Sequence, residues 1–206
     1  MSGSGAVKRF VFKELKSGDL RKFSATSADS TSGGGARDQR FSPYDKFDDV
    51  FNAMFKGKPE HRNRKKKDGT TEQLTVYVSP IAVHADDTHR TNPSKEMQHE
   101  NQPYLVQTLR YWPPTEVRAN EGRLGEVSKL DLAPPSDKGR VFLLIFEDDT
   151  ALTPRIAFVT EHDVKAKSWE KSINDFFEKL LETPATTNAV MGYKDFVNKT
   201  SWTKEP

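Results

Sequence analysis

The chain predicts an α+β fold: a mostly antiparallel twisted sheet or partly open barrel of about five to seven strands, with an early and a late amphipathic helix. Three observations carry this. Arg140-Val141-Phe142-Leu143-Leu144-Ile145-Phe146 is an unbroken apolar run of the length and branched, aromatic make-up of a strand covered on both faces. Trp169, Ile173, Phe176, Phe177, Leu180 and Leu181 recur at helical spacing and share one face. Phe47, Val50, Phe51, Met54 and Phe55 do the same earlier in the chain.

Taken in order, Met1 to Gly5 reads as a Gly/Ser linker outside the fold, leaving 6–206 as one domain. Ala6 to Leu15 alternates Val7, Arg9, Val11 and Lys13 with Lys8, Phe10, Phe12 and Glu14, a first strand with one mixed face. Gly18-Asp19 breaks it, and Leu20 to Phe23 reads as a short continuation. A polar loop over 24–40 follows, since Ser24 to Gly35 has no residue able to build a core. Its triple glycine lets the backbone approach a phosphate or base while Arg37 and Arg40 supply charge, although no Walker or dinucleotide fingerprint is present. Ser42-Pro43-Tyr44-Asp45 has the composition of a helix start, with Ser42 as the cap, and Gly57 closes the early helix.

A second polar loop is expected over 56–70, because Arg62, Arg64, Lys65, Lys66 and Lys67 crowd a stretch that is hard to bury. Gln73 to Val83 is strand-like, with Pro80 marking an edge or a break. A third polar loop spans 84–103 and opens with His84, Asp86, Asp87 and His89, possible metal ligands without a recognised catalytic spacing. Tyr104 to Trp112 is a further strand closed by Pro113-Pro114; Val117 to Leu132 reads as a hairpin or bent strand. After the run at Arg140, Glu147 to Thr150 is expected to turn the chain into Pro154 to Val159. Ser168 is the expected cap of the late helix, with Glu170 in its first turn, and Thr183-Pro184 stops it. Val190, Met191, Tyr193, Phe196, Val197 and Trp202 call for a C-terminal segment that packs back on the domain.

Composition narrows the function. A net charge of +2 argues against a wholly basic nucleic-acid protein, so charge distribution decides. The absence of cysteine removes disulfides, thiolate metal sites and cysteine nucleophiles, and no apolar run approaches a membrane span; a cytoplasmic protein is expected. The nucleic-acid interface predicted from residue type comprises Arg37, Arg40, Arg62, Arg64, Lys65, Lys66, Lys67, Arg110, Tyr111, Trp112, Arg118 and Arg123. Arginine forks grip phosphates or read guanine edges, and exposed aromatics, Tyr104 among them, stack bases. The reading is a nucleic-acid recognition module, DNA over RNA, without a cofactor or metal and without catalysis of its own. The alternatives are a protein-interaction module whose polar loops order on a partner, and a metal-dependent nuclease or hydrolase. For the latter, Asp86, Asp87, Glu147, Asp148 and Asp149 are candidate carboxylates. Glu126 and Lys129, however, are three apart and face opposite sides of a strand, and no Gly-x-Ser-x-Gly elbow occurs. A recognition module of this kind works beside a protein partner or a catalytic domain carried elsewhere.

Overall fold

A computed structural model describes residues 6–24, 38–57, 59–83, 97–99, 102–125, 127–130, 132–149 and 153–204. Its strands are β1 (Val7–Glu14), β2 (Gln39–Phe41), β3 (Glu60–Lys65), β4 (Thr71–Val83), β5 (Met97–His99), β6 (Gln102–Trp112), β7 (Glu121–Leu124), β8 (Val141–Asp148), β9 (Arg155–Thr160), β10 (Met191–Asp195) and β11 (Thr200–Lys204). The helices are α1 (Ser17–Ser24), α2 (Asp48–Met54), α3 (Glu161–Lys165) and α4 (Lys171–Glu182). Among the described residues no helix is long and apolar enough to cross a membrane.

The apolar run becomes β8, which is buried along its whole length. Val141, Leu143 and Ile145 enter a core shared with α2, whereas Phe142, Leu144 and Phe146 enter a second core beneath α4. Period-two alternation thus feeds two cores from one strand. Strand β8 lies between β1 and β9 in a first sheet ordered β11-β10-β1-β8-β9, and every pairing within it is antiparallel. On its far side Phe177 of α4 is fully buried, its ring 5.0 Å from Phe142 and 5.6 Å from Phe12. Phe176, Leu180, Leu181 and Trp169 are half-buried at the margin of the same cluster.

The second sheet runs β3-β4-β6-β7-β2, again antiparallel, with β5 added along the first part of β6. Its inner face supplies Phe41, Tyr77, Ile81, Leu109 and Leu124 to the core that α2 also fills. The sheets meet through a short parallel contact of Ala82 and Val83 with Arg155 and Ile156. They do not close into a barrel; the twisted-sheet form of the prediction is the one realised. Pro80 lies on the flank of β4 between the β3 partners, which end at Val76, and the β9 partners, which begin at Ala82. A residue without an N–H is tolerated there, so the strand continues through it.

Several sequence expectations are corrected. Leu20 to Phe23 belongs to helix α1, because the helix buries Phe23 against Phe158, ring centres 5.4 Å apart, and brings Asp19 onto Lys13. The basic run is not a loop: Glu60 to Lys65 forms β3, paired with β4 from Glu60↔Val76 to Lys65↔Thr71. The 84–103 loop likewise contains β5 and the start of β6. Ser42 does not cap a helix; its hydroxyl donates to the Asn120 carbonyl (3.0 Å), and a 3-10 turn over Tyr44–Lys46 precedes α2. Neither Ser168 nor Glu170 supplies a side-chain cap to α4. The capping box belongs to α3, where the Thr160 hydroxyl accepts from the Asp163 N–H (3.0 Å). Glu147 and Asp148 are buried strand residues rather than turn residues, paired with Arg9 (2.8 Å) and Arg155 (3.1 Å).

Candidate nucleic-acid interface

The face of the second sheet turned away from the core gathers most of the predicted cations. Alternation makes this unavoidable: Phe41, Leu109 and Leu124 point inward, so their neighbours Arg40, Arg110 and Arg123 point outward. Register then aligns them across three strands, Arg40↔Arg123↔Arg110. On β3, Arg62 and Arg64 stand opposite Leu74 and Glu72 and share this face, while Lys65 alternates to the other side.

At the centre stands Trp112 of β6. Arg64 lies over its ring, guanidinium carbon 3.9 Å from the ring centre, and Arg123 lies 4.2 Å from it. The two arginines arrive from opposite flanks of β6, from β3 beyond β4 and from β7, so the indole is held between them. Each is also anchored by a carboxylate. Arg64 pairs with Glu72 at 2.6 Å, and Glu72 takes Lys66 as well at 3.3 Å. Arg123 is bound through Nε (2.8 Å) and Nη2 to Glu121, a carboxylate only 6 % exposed. Arg118 and Arg40 approach Glu121 at 3.7 and 3.9 Å, within reach of its charge but beyond hydrogen-bond length. Their side chains are open, 56 % and 36 % exposed, so their N–H groups remain available to another acceptor. Arg110 Nη1 sits beside Gly125, where a β-carbon would come within 3.9 Å of it. The Trp112 indole N–H is buried and has no acceptor among the described residues.

Of the predicted residues, Arg40, Arg62, Arg64, Lys66, Arg110, Trp112, Arg118 and Arg123 come together on this face or at its rim. Arg62 is paired with Glu60 (3.4 Å), and Lys67 is exposed in the turn between β3 and β4. Tyr111 is a correction: it faces inward, its ring 5.0 Å from that of Tyr44 in the core, and offers nothing to a ligand on the outer face. Arg37 and the His84, Asp86, Asp87 and His89 cluster lie outside the described residues. Glu72 and Glu121, which organise the arginines, were missed by a search for cations. The available signal was Glu121-Gly122-Arg123, an acid and a base two apart and therefore on one face of a strand.

Two other polar clusters are less suited to chemistry. Lys13, 5 % exposed, donates to Asp19 (3.0 Å) and Gln39 (3.1 Å). Burial pushes its ammonium pKa down and the Asp19 charge resists, but the amine is enclosed and already partnered. Glu147 is bracketed by Arg9 and Lys56 (3.2 Å). Among the described residues no three His, Asp or Glu side chains come together as metal ligands. Searches against known protein families, curated proteins and solved structures return no match.

Proposed function

We propose that the chain is a nucleic-acid recognition module that grips DNA with the outer face of its second sheet. The observation that carries the reading is the unequal sharing of carboxylates. Arg64 and Lys66 share Glu72, and Arg40, Arg118 and Arg123 share Glu121, so each acid orients more cations than it can neutralise. A surplus of positive charge remains on this face, with the open guanidiniums of Arg40 and Arg118 available to a phosphate. The near-neutral whole chain keeps that attraction local to one face. A cytoplasmic location, expected from the cysteine-free composition, belongs to the same proposal.

Fluorescence anisotropy with labelled duplex DNA, single-stranded DNA and RNA across a salt series tests it. If about five phosphates are neutralised, the log-log salt slope on duplex is near −4.5, a loss of roughly 500-fold between about 50 and 200 mM salt. Replacing Arg40 and Arg118 together by alanine flattens that slope by about two units, whereas Lys65→Ala leaves it unchanged because Lys65 faces the other way. Absence of binding to all three nucleic acids at low salt sinks the proposal and leaves the protein-interaction module in its place.

A further inference from the structure

A sheet face that carries cations and an aromatic ring could serve either form of DNA, and the arrangement around Trp112 separates them. Surfaces that hold single strands do so by stacking unpaired bases on open aromatic faces. Here two guanidiniums that come from opposite flanks of β6 lie over the Trp112 ring, Arg64 at 3.9 Å and Arg123 at 4.2 Å. Tyr111 and Tyr77 point into the core, so among the side chains described on this sheet no uncovered ring is left for a base. The outer side of Arg123 is closed as well, since its side chain is only 10 % exposed.

Arg123 spends Nε and Nη2 on Glu121 and is nearly closed, whereas the Arg64 guanidinium, 40 % exposed, keeps an edge of N–H donors beyond the one it gives to Glu72. Such edges match phosphate oxygens and the acceptors that guanine shows in the major groove of a duplex. The Glu72 and Glu121 anchors fix the planes in advance, which favours a partner with regularly placed acceptors over a flexible strand that would itself have to be ordered. We infer that this face is built for double-stranded DNA and that Trp112 is a positioning residue, a spacer between the closed Arg123 and the open Arg64 that holds Arg64 in place, rather than a platform for bases. The inference rests on the nucleic-acid reading above and goes beyond it in naming the form recognised.

The test uses one labelled oligonucleotide sequence, as duplex and as single strand, with the full chain and two variants, Trp112→Ala and Arg64→Lys. The duplex is expected to bind about tenfold or more tighter than the single strand. Trp112→Ala lowers duplex affinity by about tenfold and leaves single-strand affinity nearly unchanged. Arg64→Lys keeps the charge and loses the planar fork, carries little risk to folding, and gives the same one-sided loss. Circular dichroism of each variant confirms that the fold is retained. Tighter binding of the single strand, or a Trp112→Ala loss of about tenfold confined to the single strand, overturns the inference while leaving the nucleic-acid reading intact. Binding to neither form overturns both.

Discussion

Glu14 illustrates how a single residue ties together neighbouring strand ends of the first sheet. Its carboxylate is 2 % exposed and accepts from Arg140 Nε (2.9 Å) and the Val190 N–H (3.3 Å), with Lys16 at 2.7 Å. Burial alone would raise its pKa, but the hydrogen bonds from Arg140 and Lys16 more than offset this and hold the carboxyl below its ordinary value. A carboxylate depressed in the folded state contributes stability that is complete above its unfolded pKa of about 4.3 and is lost as pH falls through the lower, folded value. Glu14→Gln is therefore expected to cost about 2 kcal/mol at neutral pH and to remove part of the acid-induced loss below about pH 4. Urea midpoints measured from neutral to acid pH check this; an unchanged acid limb in the variant would contradict it. Because Arg140 also donates to the Thr183 carbonyl (2.8 Å), the same substitution loosens the C-terminal end of α4.

At the scale of elements, α4 is the docking helix whose stripe was plain in the sequence, but burial along the stripe is uneven. Ile173 and Phe177 are fully buried, whereas Phe176 is only partly so, with rings from Phe10 and Phe12 at 5.1 and 5.3 Å. Phe177→Ala is expected to cost about 3 to 5 kcal/mol and Phe176→Ala clearly less, because the rim can relax or admit water where the centre cannot. Equal costs in denaturant unfolding, or a loss under about 1 kcal/mol at Phe177, would mean that the helix is not seated as described. Strand β3 is the opposite case. It has no apolar residue, so hydrophobic periodicity is silent there, and the stretch becomes a strand only because β4 presents a free flank to pair with. Helix α1 is a related case: the pattern of eight residues is too short to separate the two periods, and burial of Phe23 decides it.

For the molecule as a whole, β4 is the shared member. It pairs with β3 and β6 in the second sheet and touches β9 of the first, while α2 fills the core that both sheets line. A common core predicts one cooperative transition. The tryptophans report on it from separate places: Trp112 on the second sheet, Trp202 against Phe47 at 5.3 Å, and Trp169 against Phe146 at 6.2 Å. Variants that keep one tryptophan and replace the others with phenylalanine are expected to share a denaturant midpoint by fluorescence. Midpoints that separate between Trp112 and Trp169 would show that the sheets unfold independently.

The sequence by itself determined the α+β class, the doubly covered strand from Arg140 to Phe146 with its hairpin partner, though not its extension to Asp148, and the helix stripe through Phe177. These are local patterns in which spacing and side-chain type suffice. It also supplied the residue types of the candidate interface. Which of them meet was decided only in three dimensions, because register between strands far apart in the chain places Arg64, Trp112 and Arg123 side by side and turns Tyr111 into the core. The β3–β4 and β6–β7 pairs are joined by short connections, but β4 and β6, which bring them together, are not consecutive in the chain, and a shift of one residue in any of these strands would send every side chain to the other face. No window of sequence contains that information; it resides in the apolar inner face, which fixes the register by burying Tyr77, Leu109 and Leu124 and leaves the arginines outside.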